Sequence, residues 1–377
     1  MEADVTDINM LAMSPVLKII WINKLESHKV PSDFISVAKL LPNHNFWMCG
    51  SGSLRDYVME ESKGVNNLRY LGIISDKLKT QLLNECDIYI STSTYEGFGF
   101  GPLEALRQHK IILLRDIPAF KEIYGEVALF ASSVEEFVEH IRSLENRKER
   151  EKMEQRIVEK SKTMLKKYSI ENAVRNIILD CGIKSGAHIL AVNDDTPYLY
   201  LGGHRLFYQL INRLGKFFNV TLITSRGKCL RLVDPNINTI IISRSRYTMR
   251  NLLDFLLVNL NYLQTFLTAN KEKRADFVFT NDRFCSFIAY FAKKILKMKT
   301  LTSIWDDAFF RIPVLEVRSL RAFGRQILYL HPLIHLFERY VYRTIPVKTI
   351  SKFSLSLLRK HNVVATSIWK AQEQIDS

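Results

Sequence analysis

The sequence predicts an α/β fold with two domains, each built on a parallel sheet. Short apolar runs typical of buried strands alternate with helical patterns along the first half of the chain. Such alternation favours a parallel sheet covered by helices on both faces. A second alternation of the same kind begins after residue 187. A length of 377 residues, 47% of them apolar, is enough for two cores of ordinary size.

The first domain is predicted to contain six strands and to end with three helices. Helical patterns between the strands include Ser32–Leu41 and Lys77–Asn84, and the closing helices are Glu135–Leu144, Lys148–Lys167 and Ile170–Asp180. The highly charged middle one of these three predicts a solvated helix rather than a binding patch. The predicted strands are Val16–Ile22, His44–Cys49, Asn67–Leu71, Cys86–Ser91, Lys110–Leu114 and Val127–Phe130.

A short joint, Cys181–Ala187, separates the two alternating segments and carries Gly182 and Gly186. We therefore expect an N-terminal tail at residues 1–15, a first domain at 16–183 and a second domain at 184–377. The second domain has predicted strands at His188–Val192, Asn219–Thr224, Asn238–Ser243, Asp276–Thr280, Thr300–Ile304 and Val347–Ile350. Its predicted helices are His204–Phe217, Thr248–Leu267, Arg283–Lys297, a long stretch near Leu315–Tyr342, and Lys352–Lys360.

Residues 95–106, which read YEGFGFGPLEAL, form the most informative segment of the chain. They follow the predicted strand Cys86–Ser91, and Pro102 suits the first position of a helix because its missing N–H is not needed there. A strand, a glycine-rich loop and a helix in this order direct free backbone N–H groups and a positive helix end at a phosphate. Glu96 and Glu104 bracket the loop. A nucleotide sugar offers a diphosphate for the N–H groups and hydroxyls for each carboxylate.

This segment resembles the retaining glycosyltransferases of family 4, whose pattern is Glu, seven residues, Glu, with Phe-Gly inside and Glu-Ala at the end. Here Glu96 and Glu104 enclose Phe98 and Gly99, and Ala105 follows. The resemblance implies the GT-B fold, in which two Rossmann-like domains with parallel sheets face a cleft. It also implies that a hexosyl or related sugar is transferred from a nucleoside diphosphate donor to an acceptor hydroxyl with retention.

Several residues take roles from this resemblance. Glu96 would hold the transferred sugar, and Lys24 and Lys29 would stabilise charge on the departing phosphate. Lys24 stands where the family has arginine, and Val30 stands where it has glycine. We assign these three charged residues to catalysis. Donor binding is assigned to Gly50, Gly52, Leu71, Phe98, Gly99 and Glu104.

The second half resembles the N-terminal domain of the same family. Gly202 and Gly203 precede a helical pattern and would lie across the cleft from the donor. Asp306 and Asp307 follow a predicted strand and are candidate acceptor contacts, a candidate base, or a helix cap; Trp305 stands where many family members have histidine. The sequence has no Asp-x-Asp pair, and GT-B enzymes generally need no metal. We therefore expect no metal and no cofactor apart from the sugar nucleotide substrate.

The two domains come in the reverse of the family's order, because the donor-binding domain is first in this chain. Two explanations stay open: a circularly permuted enzyme, or a fusion of fragments from two transferases. A non-catalytic module that binds a sugar nucleotide and needs a partner chain is the competing function. An isomerase or phosphorylase on the same fold is favoured less.

The net charge of +14 is unevenly distributed. Residues from Lys184 onward carry 29 Lys and Arg against 13 Asp and Glu, a charge of +16, whereas the preceding residues carry −2. An anionic membrane or a lipid-phosphate acceptor would suit this basic half. Nucleic acid is the alternative, but no nucleic-acid motif appears among the basic residues. We therefore expect a glycan or lipid-linked acceptor, peripheral membrane contact and no nucleic acid.

The sequence favours a cytoplasmic location. Its five cysteines form no CxxC pair, which is typical of reduced, buried thiols. The acidic start of the chain lacks the apolar core of a signal peptide. The longest uncharged stretch, Phe255–Asn270, is shorter than the roughly 20 residues that cross a bilayer and predicts a buried helix.

Overall fold

The computed structural model describes residues 15–194, 202–225, 228–242, 252–303, 340–349, 355–356, 358–359 and 365–368. The chain divides into two compact units, Met1–Lys166 and Lys167–Ser377. They are called the first unit and the second unit below. Each unit contains one parallel sheet, which confirms the predicted α/β class with two Rossmann-like sheets.

The sheet of the first unit has six parallel strands in the order β3-β2-β1-β4-β5-β6. This is the order of a dinucleotide-binding sheet. The central strands are buried on both faces, as β1 and β5 show, because helices cover both sides. The strands are β1 Lys18–Ile22, β2 Asn45–Cys49, β3 Leu68–Gly72, β4 Ile88–Ser91, β5 Ile111–Arg115 and β6 Ala128–Ala131.

Seven helices accompany this sheet among the described residues. The charged helix α7 buries only a narrow stripe that includes Met153 and Ile157, so the solvated helix expected from its sequence is confirmed. The helices are α1 Pro31–Leu40, α2 Arg55–Glu61, α3 Asp76–Glu85, α4 Phe100–Arg107, α5 Pro118–Tyr124, α6 Val134–Glu145 and α7 Arg147–Lys167.

The described part of the second unit contains a seven-stranded parallel sheet in the order β13-β12-β11-β10-β7-β8-β9. The strand order of this sheet also reverses, at the position between β7 and β10. The last strand, β13, was not predicted, and it pairs with β12 through only three residues. The strands are β7 His188–Asn193, β8 Asn219–Ser225, β9 Asn238–Ile242, β10 Phe277–Asn281, β11 Lys299–Ser303, β12 Val347–Thr349 and β13 Ala365–Ser367.

The described helices of the second unit are α8 Ile170–Cys181, α9 Gly202–Gly215, α10 Leu252–Glu272 and α11 Asp282–Lys294. Helix α10 contains the long apolar stretch. Val258, Tyr262, Phe266 and Ala269 form its buried face, whereas Leu260 is 57% exposed. None of the helices in the described ranges is long and apolar enough to cross a membrane. Most of the predicted Leu315–Tyr342 helix, and parts of the Lys352–Lys360 helix, lie outside the described residues.

Helix α8 packs within the second unit, against α9 and β11. Its side chains Ala173, Val174 and Ile177 are buried, and the Asn176 amide donates to the carbonyl oxygen of Ile368 at 2.8 Å. The compact units therefore divide before this helix, between residues 166 and 167, upstream of the joint where the sequence placed the boundary at 183/184. The difference arises because α8 is anchored by tertiary contacts that its own sequence does not reveal.

Candidate functional site

The predicted donor residues gather at the carboxyl edge of the first sheet, where its strand order reverses between β1 and β4. Ligands of open α/β sheets bind at such a point because the loops leaving the two strands diverge and open a crevice. Here the loop after β1 carries Lys24 and Lys29, and the segment after β4 carries Glu96 and the glycine-rich turn.

The segment after β4 holds the loop after β1 in place. The Thr92 hydroxyl oxygen lies 2.8 Å from the Lys29 carbonyl oxygen and 2.9 Å from that of Val30. The Trp21 indole N–H donates to the same hydroxyl at 3.0 Å. The backbone N–H of Thr94 donates to the His28 carbonyl at 2.9 Å. These bonds fix the position of Lys29 relative to the glycine-rich turn.

Lys29 and Glu96 form an ion pair, with 2.6 Å between Nζ and Oε1. Their side chains are only 11% and 13% exposed, so water screens the pair little. The Ser93 hydroxyl donates to the same Glu96 oxygen at 3.0 Å, and the Asn23 amide donates to that hydroxyl at 3.3 Å. The structure thus brings together the two groups expected to act on the phosphate and on the sugar.

Lys24 is half-buried in the same loop, where its carbonyl accepts the N–H of Glu26 at 3.0 Å. Val30 ends the short 3-10 turn Ser27–Lys29 in the left-handed conformation, with φ 46°. Glycine adopts this conformation without cost, whereas a β-branched residue is strained in it. Val30 therefore has the backbone conformation of a glycine, which is the residue that the family resemblance predicts at this position.

The glycine-rich turn is packed rather than loose. A Cβ on Gly99 would lie 2.4 Å from the Phe120 ring, and the Gly99 carbonyl accepts the Tyr124 hydroxyl at 2.5 Å. The Phe98 ring is 1% exposed, so its side chain anchors the turn, and only its backbone is left for a ligand. Helix α4 begins at Phe100, so the prediction of Pro102 as the first helical residue is wrong; its missing N–H still falls among the unpaired ones of the first turn.

Tyr89, on β4, contacts both the end of β1 and the start of α4. Its hydroxyl donates to the Ile22 carbonyl at 3.2 Å, and a Cβ on Gly101 would lie 2.2 Å from it. Burial raises the pKa of Tyr89 well above 10, and the charges of Glu96 and Glu104 raise it further. Gly101 is therefore needed so that α4 can approach the end of β1.

Glu104 projects from α4 to Lys79 on α3, and its Oε2 lies 2.9 Å from Nζ. Its side chain is 28% exposed, whereas that of Lys79 is 15% exposed. Sequence reasoning missed Lys79, and it also missed Ser93 and Asn23. The run Ser91-Thr92-Ser93-Thr94 at the end of a buried strand is a signal that could have identified Ser93.

The Gly50–Gly52 turn after β2 lies against the loop that carries the lysines. A Cβ on Gly50 would lie 1.8 Å from the Asn23 carbonyl oxygen, and one on Gly52 would lie 2.4 Å from that of Leu25. Both glycines are required by this close backbone approach. Leu71, at the end of β3, is 39% exposed at the same edge of the sheet.

The acceptor-side predictions concern the second unit. Gly202 and Gly203 form the start of helix α9, and Asp306 and Asp307 lie outside the described residues. Within the described ranges, no group of three or more His, Cys, Asp or Glu side chains is placed to hold a metal ion.

A buried polar network occupies the carboxyl edge of the second sheet, and sequence reasoning missed it. Asp194 follows β7 and accepts the hydroxyls of Ser225 at 2.8 Å and Tyr262 at 3.0 Å. The Asn281 amide donates to Asn193 at 2.7 Å. Burial and the neighbouring Asp194 raise the pKa of Tyr262 well above 10. The network fixes the point at which the chain leaves β7.

Comparison with known proteins concerns mainly the first unit. Residues 14–164 match the family model of the glycosyl transferases group 1. These residues include every donor-binding and catalytic residue predicted above. The match covers less than half of the chain, and over that part it confirms the resemblance to this group. No curated protein matches the sequence.

Solved glycosyltransferase structures are similar over a comparable part of the chain. A point mutant of S. aureus TarM in complex with Fondaparinux, alpha-GlcNAc-glycerol and UDP is 21% identical, with 40% of this chain and 34% of that chain covered and a TM-score of 0.34. Anabaena Alr3699/HepE in complex with UDP and glucose is 19% identical, with 41% and 47% covered and a TM-score of 0.34. The catalytic domain of cholesterol-alpha-glucosyltransferase from Helicobacter pylori is 19% identical, with 40% and 99% covered and a TM-score of 0.36. The chain thus spans well under two thirds of the length of the first two proteins.

Proposed function

We propose that this protein is a glycosyltransferase that moves a hexosyl or related sugar from a nucleoside diphosphate to an acceptor hydroxyl with retention. The observation that carries the proposal is the Lys29–Glu96 ion pair, 2.6 Å long, at the switch point of a sheet within the residues that match the group 1 family. A cation for the leaving phosphate and a carboxylate for the sugar are thereby held side by side.

Each group has a physical task in the transfer. As the bond from the sugar to the phosphate breaks, negative charge grows on the departing diphosphate. We assign the stabilisation of that charge to Lys29, Lys24 and the backbone N–H groups at the start of α4. Glu96 accepts hydroxyls of the transferred sugar, with Ser93 fixing its orientation, and Glu104 accepts ribose hydroxyls. Because fixed cations supply the positive charge, the proposed reaction uses no metal ion.

The acceptor is proposed to be a glycan or a lipid-linked saccharide. The support is the charge of +16 on the residues from Lys184 onward, which favours an anionic surface or a phosphate-bearing acceptor. From this charge we propose peripheral contact to a membrane and no nucleic-acid partner. From the cysteine pattern we propose a cytoplasmic location.

The test is to incubate the purified full chain with a panel of nucleoside diphosphate sugars and to measure release of the nucleoside diphosphate. NMR of the product anomer then checks retention. Lys29→Met and Glu96→Gln should each lower turnover at least about 100-fold, the range for removing a group that stabilises developing charge. The exposed ion pair Lys39–Glu61, 3.1 Å long, supplies matched controls, because Lys39→Met and Glu61→Gln make the same chemical changes away from the site.

A non-catalytic sugar-nucleotide module is the second candidate. The specific observation in its favour is that lysine replaces the usual arginine at residue 24, which gives a point charge instead of a fork for the phosphate. This candidate predicts donor binding without turnover in the full chain. It also predicts that adding a complementary partner chain restores turnover, whereas a complete permuted enzyme needs no partner.

A further inference from the structure

A pocket of about 620 Å³ opens at the amino-terminal edge of the second sheet. It lies where β7, β10 and β11 begin, the edge opposite to the one that carries the buried polar network around Asp194. The joint that follows α8 forms one wall, and the turns before β10 and β11 form the others. Its volume is within the range of small-ligand sites, roughly 300–1,000 Å³.

The pocket is strongly cationic. Lys184, Arg274, Lys297 and Lys299 line it, and Asp276 is the only acidic residue among its described lining residues. The Asp276 carboxylate already accepts the backbone N–H of His188 at 2.8 Å, and Lys299 donates to the Gly182 carbonyl at 3.1 Å. Three cations, Lys184, Arg274 and Lys297, are exposed at the mouth. Such a set suits a phosphate group, whose oxygens can accept from more than one cation.

The floor of the pocket is apolar. Ala187, Ala275 and Phe277 are buried there, and Met298 is partly buried beside them. Cations above an apolar floor complement a ligand that carries a charged group on a nonpolar body.

The backbone at Lys297 favours a binding role for its side chain. Lys297 lies just after the end of α11 in the left-handed conformation, with φ 56°. Glycine fits this position without strain. Strained residues of this kind concentrate at functional sites, and here the strained residue places a cation at the pocket mouth.

Neutralisation of helix ends is the competing explanation. Helices α8, α10 and α11 end near this pocket, and cations stabilise the negative C-terminal ends of helices. The two explanations differ in their consequences. Helix neutralisation affects stability alone, whereas an anion site affects binding.

We propose that this pocket binds a phosphate group, supplied by an anionic lipid headgroup or by free phosphate. The site belongs entirely to the second unit, whereas the donor residues belong to the first, so it is a separate site from the one proposed for the sugar nucleotide. Loss of one should leave binding at the other unchanged.

The test uses the full chain with phosphatidylglycerol vesicles, phosphatidylcholine vesicles and inorganic phosphate followed by ³¹P NMR. The variant Lys184→Gln/Arg274→Gln/Lys297→Gln should bind anionic vesicles about 100-fold more weakly, about fivefold for each cation lost near an anionic surface. The control variant Arg175→Gln/Lys216→Gln/Arg343→Gln removes three exposed charges of the same unit outside the pocket. Screened charges of that kind should change binding by about threefold at most.

Lys297→Gly separates binding from folding, because it removes one cation and relieves the left-handed backbone. We expect about fivefold weaker binding with no loss of melting temperature. Vesicle binding that depends on the pocket cations supports a lipid source, and ³¹P broadening without vesicle binding supports free phosphate. Equal losses in both triple variants, no binding of either probe, or a lower melting temperature with unchanged binding would each overturn the proposal.

Discussion

Lys79 and Glu104 join α3 to α4 through an ion pair in which Nζ lies 2.9 Å from the carboxylate. The same Nζ lies 3.3 Å from the Asp76 carboxylate. A carboxylate can accept about four hydrogen bonds, so the pairing with Lys79 leaves Glu104 able to accept ribose hydroxyls. Lys79 thus orients the glutamate that the donor is proposed to use.

Glu104→Ala should weaken binding of a nucleoside diphosphate by about 1–3 kcal/mol, because buried hydroxyls of the ligand lose their acceptor. Lys79→Met should cause a smaller loss, because the carboxylate remains and only its orientation relaxes. Isothermal titration calorimetry on the full chain measures both. Glu61→Ala, in the exposed pair with Lys39, is the control and should bind as the wild type does. Equal affinity of wild type and Glu104→Ala would remove Glu104 from the site.

Breaking the Lys29–Glu96 pair should destabilise the protein more than removing both charges. The side chains are 11% and 13% exposed, so either single variant leaves a nearly buried charge without its partner. We expect Lys29→Met or Glu96→Gln alone to cost about 3 kcal/mol, and the double variant less than either single one. Urea unfolding monitored by tryptophan fluorescence gives the three values. A double-mutant cycle on the exposed Lys39–Glu61 pair should show a coupling energy of about 0.5 kcal/mol in the free energy of unfolding. An equally small coupling energy for Lys29 and Glu96 would contradict the isolation of that pair from water.

Lys29 should also contribute more to the rate than to ground-state binding. Charge on the diphosphate grows as the sugar departs, so the lysine interacts most strongly in the transition state. Lys29→Met should therefore lower kcat by a larger factor than it raises the Kd of the free nucleoside diphosphate. A comparison of steady-state kinetics with calorimetry decides the matter. Equal factors would make Lys29 a general binding residue.

The predicted strand ends differ from the observed ones by no more than two residues. Strands were predictable because parallel strands buried on both faces are continuous apolar runs. The turn chemistry was less predictable. Pro102 suggested a helix start, but Gly99, with φ 78°, precedes a helix that begins two residues earlier. Lys79 escaped prediction because it meets Glu104 of another helix only in the folded chain. Ser93 lies three residues from Glu96, but its contact with Asn23 in the loop after β1 depends on the fold. Helix α8 was predicted as an element, but its packing on the second unit depends on partners such as Ile368 that only the folded chain brings near.

Cys49 and Cys86 should resist thiol reagents in the native protein. Burial raises the pKa of each thiol to about 12, so at pH 8 only about one molecule in 10⁴ carries the reactive thiolate. Both side chains are almost wholly inaccessible. Alkylation with iodoacetamide followed by mass spectrometry should label Cys181, which is partly exposed, well before either of them. In urea all three should react at similar rates, and early labelling of Cys49 without denaturant would contradict the packing of β2.

Helix α8 should be an integral part of the second unit, held by the ion pair between Asp180 and Lys348. The Lys348 side chain is only 4% exposed, so Asp180→Asn leaves a buried cation without its partner and should cost about 3 kcal/mol. Asp180→Asn/Lys348→Met should recover part of that loss.

Glu171→Gln is the control. It breaks the ion pair with Arg213, which is 3.7 Å long and more exposed, and it should cost about 0.5 kcal/mol. Denaturant unfolding of the full chain measures all three variants. The outcome tests whether α8 belongs with the second unit, whose first residue is Lys167. If Asp180→Asn proved as mild as Glu171→Gln, this ion pair would not be what holds α8 in the second unit.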